Sequence, residues 1–87
     1  MPRCIHKFKL EINDNAQHVP FRSGGKFLAA GMQNGELCIW VEHDTDNGVG
    51  GEDFRVFGTG HPIVGISGAE WRATVQAPPF VWHVYEL

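Results

Sequence analysis

Five histidines, two cysteines and three tryptophans in 87 residues are the side chains of this sequence with the widest chemical range. Histidine with cysteine raises zinc first, which takes three or four converging ligands, commonly as pairs at short spacing. His43, Asp44 and Asp46 offer one imidazole and two carboxylates, but no second histidine follows within a turn. That spacing predicts a solvated loop and no metal. Cys38 sits in mid-run between Leu37 and Ile39, with no helix N-terminus to lower its pKa, and Cys4 is similarly placed. Thiol catalysis is therefore not expected. Ser67, in "GISGA", lacks the Gly-x-Ser-x-Gly spacing of a strained nucleophile turn. Glu42, Glu52, Asp53, Glu70 and Glu86 form no pattern that marks an acid–base pair. No catalytic residue, metal or cofactor is expected, and the chain reads as a non-enzyme.

Binding chemistry is better represented. "RSGGK", Arg22 to Lys26, sets two cations around flexible main chain, whose successive N–H groups can form an anion nest. "GTGHP", Gly58 to Pro62, offers main-chain donors, the Thr59 hydroxyl and the His61 imidazole. Neither is the longer glycine-rich phosphate loop, and a bend shaped by glycine is the simpler reading of each. Arg22, Lys26 and Arg55 nevertheless suit a phosphate, and a tryptophan suits a base. Of Trp40, Trp71 and Trp82, Trp40 is the first choice for exposure, because a small sheet has little interior. The candidate ligand or partner residues are thus Arg22, Lys26, Trp40, Arg55, Thr59 and His61. A hydrolase reading would need His61 beside a carboxylate in a cleft.

The elements that must position these residues are strands. No stretch of helical period is long enough to use, whereas period-2 alternation recurs. From Cys4 to Ile12 one face carries Cys4, His6, Phe8, Leu10 and Ile12. His6 on that face, and His83 between Val81 and Tyr85, are expected to be core histidines bonded to main-chain carbonyls. Gln17 to Phe21 is extended and, with Pro20, suits a sheet edge. Asn34-Gly35 between two apolar runs predicts a two-residue hairpin turn. Its register sets Met32 opposite Leu37, Ala30 opposite Ile39 and Leu28 opposite Val41 on a core face. Gly31, Ala29 and Phe27 then oppose Cys38, Trp40 and Glu42 on a second, partly apolar face that needs cover. "HDTDNGVGGED" reads as a mobile loop, and Phe54 to Gly58 as a strand antiparallel to the hairpin's second arm. Trp71, Ala73 and Val75 alternate with Arg72, Thr74 and Gln76. Pro78-Pro79 then forces a break before a last strand, "FVWHVYEL". About six short strands predict an all-β single domain over residues 1–87, an antiparallel sandwich or partly open barrel.

Bulk numbers narrow the function classes. An apolar fraction of 43% suits a globular domain, and the net charge of −3 is scattered without a basic stripe, so duplex nucleic acid is disfavoured. No apolar run approaches the roughly 18 residues of a membrane helix, and no signal-peptide core comes after Arg3. Two distant cysteines read as free thiols of a cytoplasmic protein.

The pieces "IHKFKLEI", "MQNGELCIWVEHD", "RVFGTGHPI" and "FVWHVYE" occur in an order that resembles a family of short bacteriophage and prophage proteins of unknown function. The match spans most of the chain, "FGTGHPI" is its most recognisable part, and residues 44–51 and 64–69 depart most. The resemblance carries over no site residue. What it implies is context: a phage-encoded accessory product in the host cytoplasm. The expected role is a non-enzymatic binder, in counter-defence, that takes a host immune protein or a small nucleotide signal and self-associates. A structural or assembly accessory without a ligand is the alternative, and after it a small hydrolase using His61.

Overall fold

A computed structural model describes residues 2–87 and has an all-β fold. Seven strands run in the order β1 (Arg3–Leu10), β2 (Gln17–Val19), β3 (Lys26–Gln33), β4 (Glu36–Asp44), β5 (Glu52–Gly58), β6 (Glu70–Ala77) and β7 (Phe80–Glu86). They form two antiparallel sheets, β1-β4-β3 and β2-β5-β7-β6, which face each other without closing into a barrel. The expected edge position of the Gln17–Phe21 segment is met by β2.

The β3–β4 hairpin forms as its Asn-Gly pair dictates. Asn34 and Gly35 both take positive φ, 53° and 78°, the pattern of a type I′ turn whose twist matches that of the strands. Met32, Gly31, Ala30 and Ala29 pair with Leu37, Cys38, Ile39 and Trp40 as their alternation requires. A bulge at Leu28 then shifts the register. Phe27 lies opposite Val41 and Lys26 opposite Glu42, in place of the expected Leu28–Val41 and Phe27–Glu42 pairs. The extra residue turns Leu28 outward and sends Phe27 inward, 6.1 Å from the Phe54 ring of the other sheet.

Leu37, Ile39 and Val41 of β4 and Leu10 of β1 meet Phe54, Val56, Val75 and Val84 across the sandwich, with Val19 and Phe21 closing one side. Each of these side chains contributes roughly 1.5–3 kcal/mol by leaving water. Strand β5 does not pair with β4, as sequence spacing suggested. The seven residues between them are too many for a tight hairpin and carry the chain to the second sheet, where β5 lies between β2 and β7. That connection is tied rather than loose, through an Arg22–Val49 bridge and main-chain bonds from Ser23 to Gly48 and from Gly50 to Phe21. His43 and Asp44 belong to the end of β4 and are buried, not loop residues. A second bulge, at Arg72, places Trp71 opposite Tyr85 on the outer face, off the face of Ala73 and Val75. β6 and β7 join through Pro78-Pro79, whose residues lie outside both ladders.

Candidate functional site

The two glycine turns leave opposite ends of β5. "RSGGK" packs against the loop that enters the strand, and "GTGHP" begins at its last residue, Gly58. At about 3.3 Å per residue the strand separates them by about 20 Å. Arg22 and Lys26 therefore lie far from Thr59 and His61. Trp40 lies on the outer face of the three-stranded sheet, between Lys7 and Ala29. Of the six residues singled out from sequence, the fold brings Arg55, Thr59 and His61 into one region and leaves the other three elsewhere.

At the "RSGGK" end the main-chain groups and the buried His43 ring satisfy one another. His43, 5% exposed, accepts the Arg22 main-chain N–H at Nδ1 (2.8 Å). Its neutral ring must then carry the proton on Nε2, which donates to His6 Nδ1 at 2.7 Å. His6 thus bonds an imidazole, not the main-chain carbonyl expected of it, and is exposed rather than a core residue. Burial first, then the neighbouring His6, Arg22 and Arg3, hold the His43 pKa below its ordinary value. The Asp44 carboxylate accepts the Asp46 N–H (2.9 Å), and the Asn47 amide donates to the Ser23 carbonyl (2.9 Å).

The other end is open. Gly58 lies beneath two rings: a Cβ there would stand 2.9 Å from the His61 imidazole and 3.2 Å from the Trp82 indole. Only glycine lets both rings close over the end of β5. Phe80, 56% exposed, stacks on Trp82 with centroids 5.4 Å apart and planes at 26°. Around this pair runs a continuous groove of overlapping hollows. One of about 500 Å³ is mainly apolar, with Ile12, Met32, Pro78, Phe80 and Trp82 in its walls. A second of about 310 Å³ shares Ile12 and Trp82 with it and adds Asn13, Asp14 and His61. A third, of about 330 Å³, lies beside Thr59, His61 and Phe80. A fourth of about 390 Å³ reaches Arg55, Pro62 and Val64.

Arg55 borders this groove with both terminal nitrogens engaged, while its buried Nε has no partner among the described residues. Nη1 donates to the Val64 carbonyl (2.9 Å) and Nη2 to the Asp14 carbonyl (2.8 Å), while the group rests 4.8 Å above the Phe57 ring. It straps two loops to β5. The His61 imidazole makes no hydrogen bond to a carboxylate among the described residues, although Asp14 lines the same hollow.

A hydrogen-bonded row crosses the outer face of the second sheet. Trp71 Nε1–H donates to Thr74 Oγ1 (3.1 Å), Thr74 Oγ1 meets His83 Nδ1 (3.0 Å), and His83 Nε2 meets Thr59 Oγ1 (2.7 Å). His83 is therefore held by two hydroxyls and not by a main-chain carbonyl. Sequence reasoning did not find Trp82, Asp14 or this row. Trp82 was within reach: it shares the Val84 face of β7 at the strand's far end, where an inward aromatic overruns the core. Thr74 opposite His83 follows from the two-residue Pro78-Pro79 turn, whereas Thr59 joins the row only through the pairing of β5 with β7, which leaves no local signature. Among the described residues no three histidine, cysteine or acidic side chains converge on a metal position.

No curated protein and no solved structure is significantly similar to the chain. A family model described as a domain of unknown function, DUF7352, matches residues 1–87, and the chain belongs to that family.

Proposed function

We propose that this protein acts by binding, without turnover, and that the groove around Trp82 and His61 is where it binds. The observation that carries this reading is the groove itself: an aromatic floor left half open beside hydroxyl, imidazole and carboxylate groups, in a domain whose other end ties its main-chain groups and buried His43 ring together internally. Apolar hollows with a few converging polar groups are where small ligands and partner side chains dock. The phage resemblance of "FGTGHPI" supplies the context: an accessory protein of a phage or prophage, working in the host cytoplasm as a counter-defence factor. Its ligand is then a host immune protein segment or a small nucleotide signal. Self-association belongs to the same reading. Half-buried Trp40 and exposed Ile5 lie on the outer face of the three-stranded sheet, away from the second sheet.

The test is a thermal-shift screen of nucleotides and metal ions together with capture from infected cells, run on the wild type and on Phe80→Ser. Phe80 is exposed, so its loss leaves the core intact. A binder should raise the melting midpoint or be captured by the wild type alone. If nothing binds, or if binding survives Phe80→Ser, the groove reading fails and a structural role without a ligand replaces it.

A further inference from the structure

We infer that the groove takes a nucleobase bearing an exocyclic carbonyl, its ring against Trp82 and Phe80 and its carbonyl accepting the Thr59 hydroxyl proton. This rests on the groove being the binding site, and it adds what the ligand must look like. Trp71 sets the direction of the row, because its indole N–H can only donate. Thr74 Oγ1 accepts it, so the order of protons that gives every later group both roles runs one way. The Thr74 hydroxyl donates to His83 Nδ1, and His83 Nε2–H donates to Thr59 Oγ1. The Thr59 proton is then the one left over, at the rim of the hollow that Phe80, Trp82 and His61 line. The row spans β6, β7 and the turn that leaves β5, where the Thr59 main-chain N–H also bonds the Val81 carbonyl, so that hydroxyl is positioned before any ligand arrives.

The reverse order of protons would make His83 a base towards Thr59. It would place two donors on Thr74 Oγ1 and leave a neutral hydroxyl, not a carboxylate, behind the imidazole. Such a partner does not stabilise an imidazolium, so the row suits offering a proton to an acceptor more than removing one. The ligand's complementary group is an uncharged acceptor. Anionic groups find little here: both Arg55 terminal nitrogens hold main-chain carbonyls, Asp14 lines the groove, and the chain carries a net charge of −3. A planar base fits the remaining chemistry, since stacking on an aromatic floor needs no charge and a carbonyl edge matches Thr59. A free nucleoside or the base of a free nucleotide is favoured over a nucleic-acid strand, whose phosphates would meet the same negative charge.

Tryptophan-fluorescence titrations of the whole chain with uridine, inosine, adenosine, uridine monophosphate and a short oligothymidylate test this. Uridine or inosine should bind, with adenosine about tenfold weaker for want of the carbonyl, and the phosphate should bring no gain. Thr59→Val should weaken binding about tenfold while Thr59→Ser restores it. Thr74→Val, a positioning change, should lower affinity and shift the His83 ring nitrogen resonances towards the other tautomer. The inference is overturned if no nucleoside binds, if adenosine binds as well as the carbonyl bases, if the oligonucleotide binds far more tightly, or if Thr59→Val changes nothing. A different ligand lost in Phe80→Ser, with nucleosides failing, would remove this inference and keep the groove. Nucleoside binding that survives Phe80→Ser would remove both.

Discussion

The turns "RSGGK" and "GTGHP" use similar materials, small residues beside groups that could meet an anion, yet the fold treats them differently. At the first, the Arg22 main chain, the buried His43 ring, Ser23 and Asn47 form a closed set of hydrogen bonds. At the second, the Gly58 backbone makes room for His61 and Trp82, and both rings border open hollows. The difference lies in the chain that packs beside each turn. "RSGGK" faces a returning loop that supplies partners, whereas "GTGHP" projects past the end of its sheet. A glycine turn is available to a ligand when the chain does not fold back to satisfy it.

Alanine scanning of glycines should break this contrast most sharply. A Cβ at Gly51, beside the closed end, would collide with the Val19 carbonyl oxygen, and its φ is +107°. Gly51→Ala should lose at least about 3 kcal/mol, combining a backbone clash with a conformation that side chains avoid. Gly60, in the open turn, has φ +90° but nothing within 4 Å of a Cβ. Gly60→Ala should lose only about 1 kcal/mol. Urea unfolding of both variants measures the difference; equal losses would mean that the open turn is as tightly built as the closed one.

Local chemistry carried much of the fold. Asn34-Gly35 announces its hairpin, alternation in β4 and β7 announces strands, and Pro20 places β2 at an edge. What alternation cannot announce is a bulge, because one extra residue leaves no compositional mark while reversing every side chain beyond it. Leu28 and Trp71 changed faces for that reason. Nor does spacing reveal that β5 leaves β4 for another sheet, a choice set by where the apolar faces of β2 and β7 find cover. The candidate site was legible only in part. Thr59 and His61 stand out by type, but Arg55 read as a free cation until its two carbonyl partners were in view.

Histidine chemistry separates the two ends next. Replacing His43 with leucine keeps the volume but leaves the partly buried Arg22 N–H without an acceptor, and should cost about 1–3 kcal/mol at neutral pH. The same ring sets a pH dependence. Because its folded pKa lies below 6.5, the unfolded chain binds the proton more readily. The stabilisation it contributes is complete above pH 6.5 and is lost as pH falls through the depressed folded value. His18, hydrogen-bonded to Asp53, shifts the opposite way: its contribution is present below pH 6.5 and is lost as pH rises through the raised value. That pair is solvent-exposed and screened, so the buried ring should dominate. Stability followed from about pH 7.5 to about pH 5 should decline in the wild type and stay flatter in His43→Leu. A parallel decline in both would place the sensitivity outside the closed end.

The finest distinction concerns Arg22, whose main chain holds the closed turn while its guanidinium has no hydrogen-bond partner among the described residues. If the turn works as a knot of backbone groups and not as an anion site, Arg22→Ala should change stability at about pH 7.5 by no more than about 0.5 kcal/mol. Its trace should appear in the pH profile. The Arg22 charge is one of the causes that depress the His43 pKa, so its removal lets that value rise towards 6.5. The folded and unfolded values then lie closer together, and the acid-side decline becomes shallower. A large loss at neutral pH would show instead that the guanidinium supports the turn directly, and the two glycine turns would differ less than their hydrogen bonds imply.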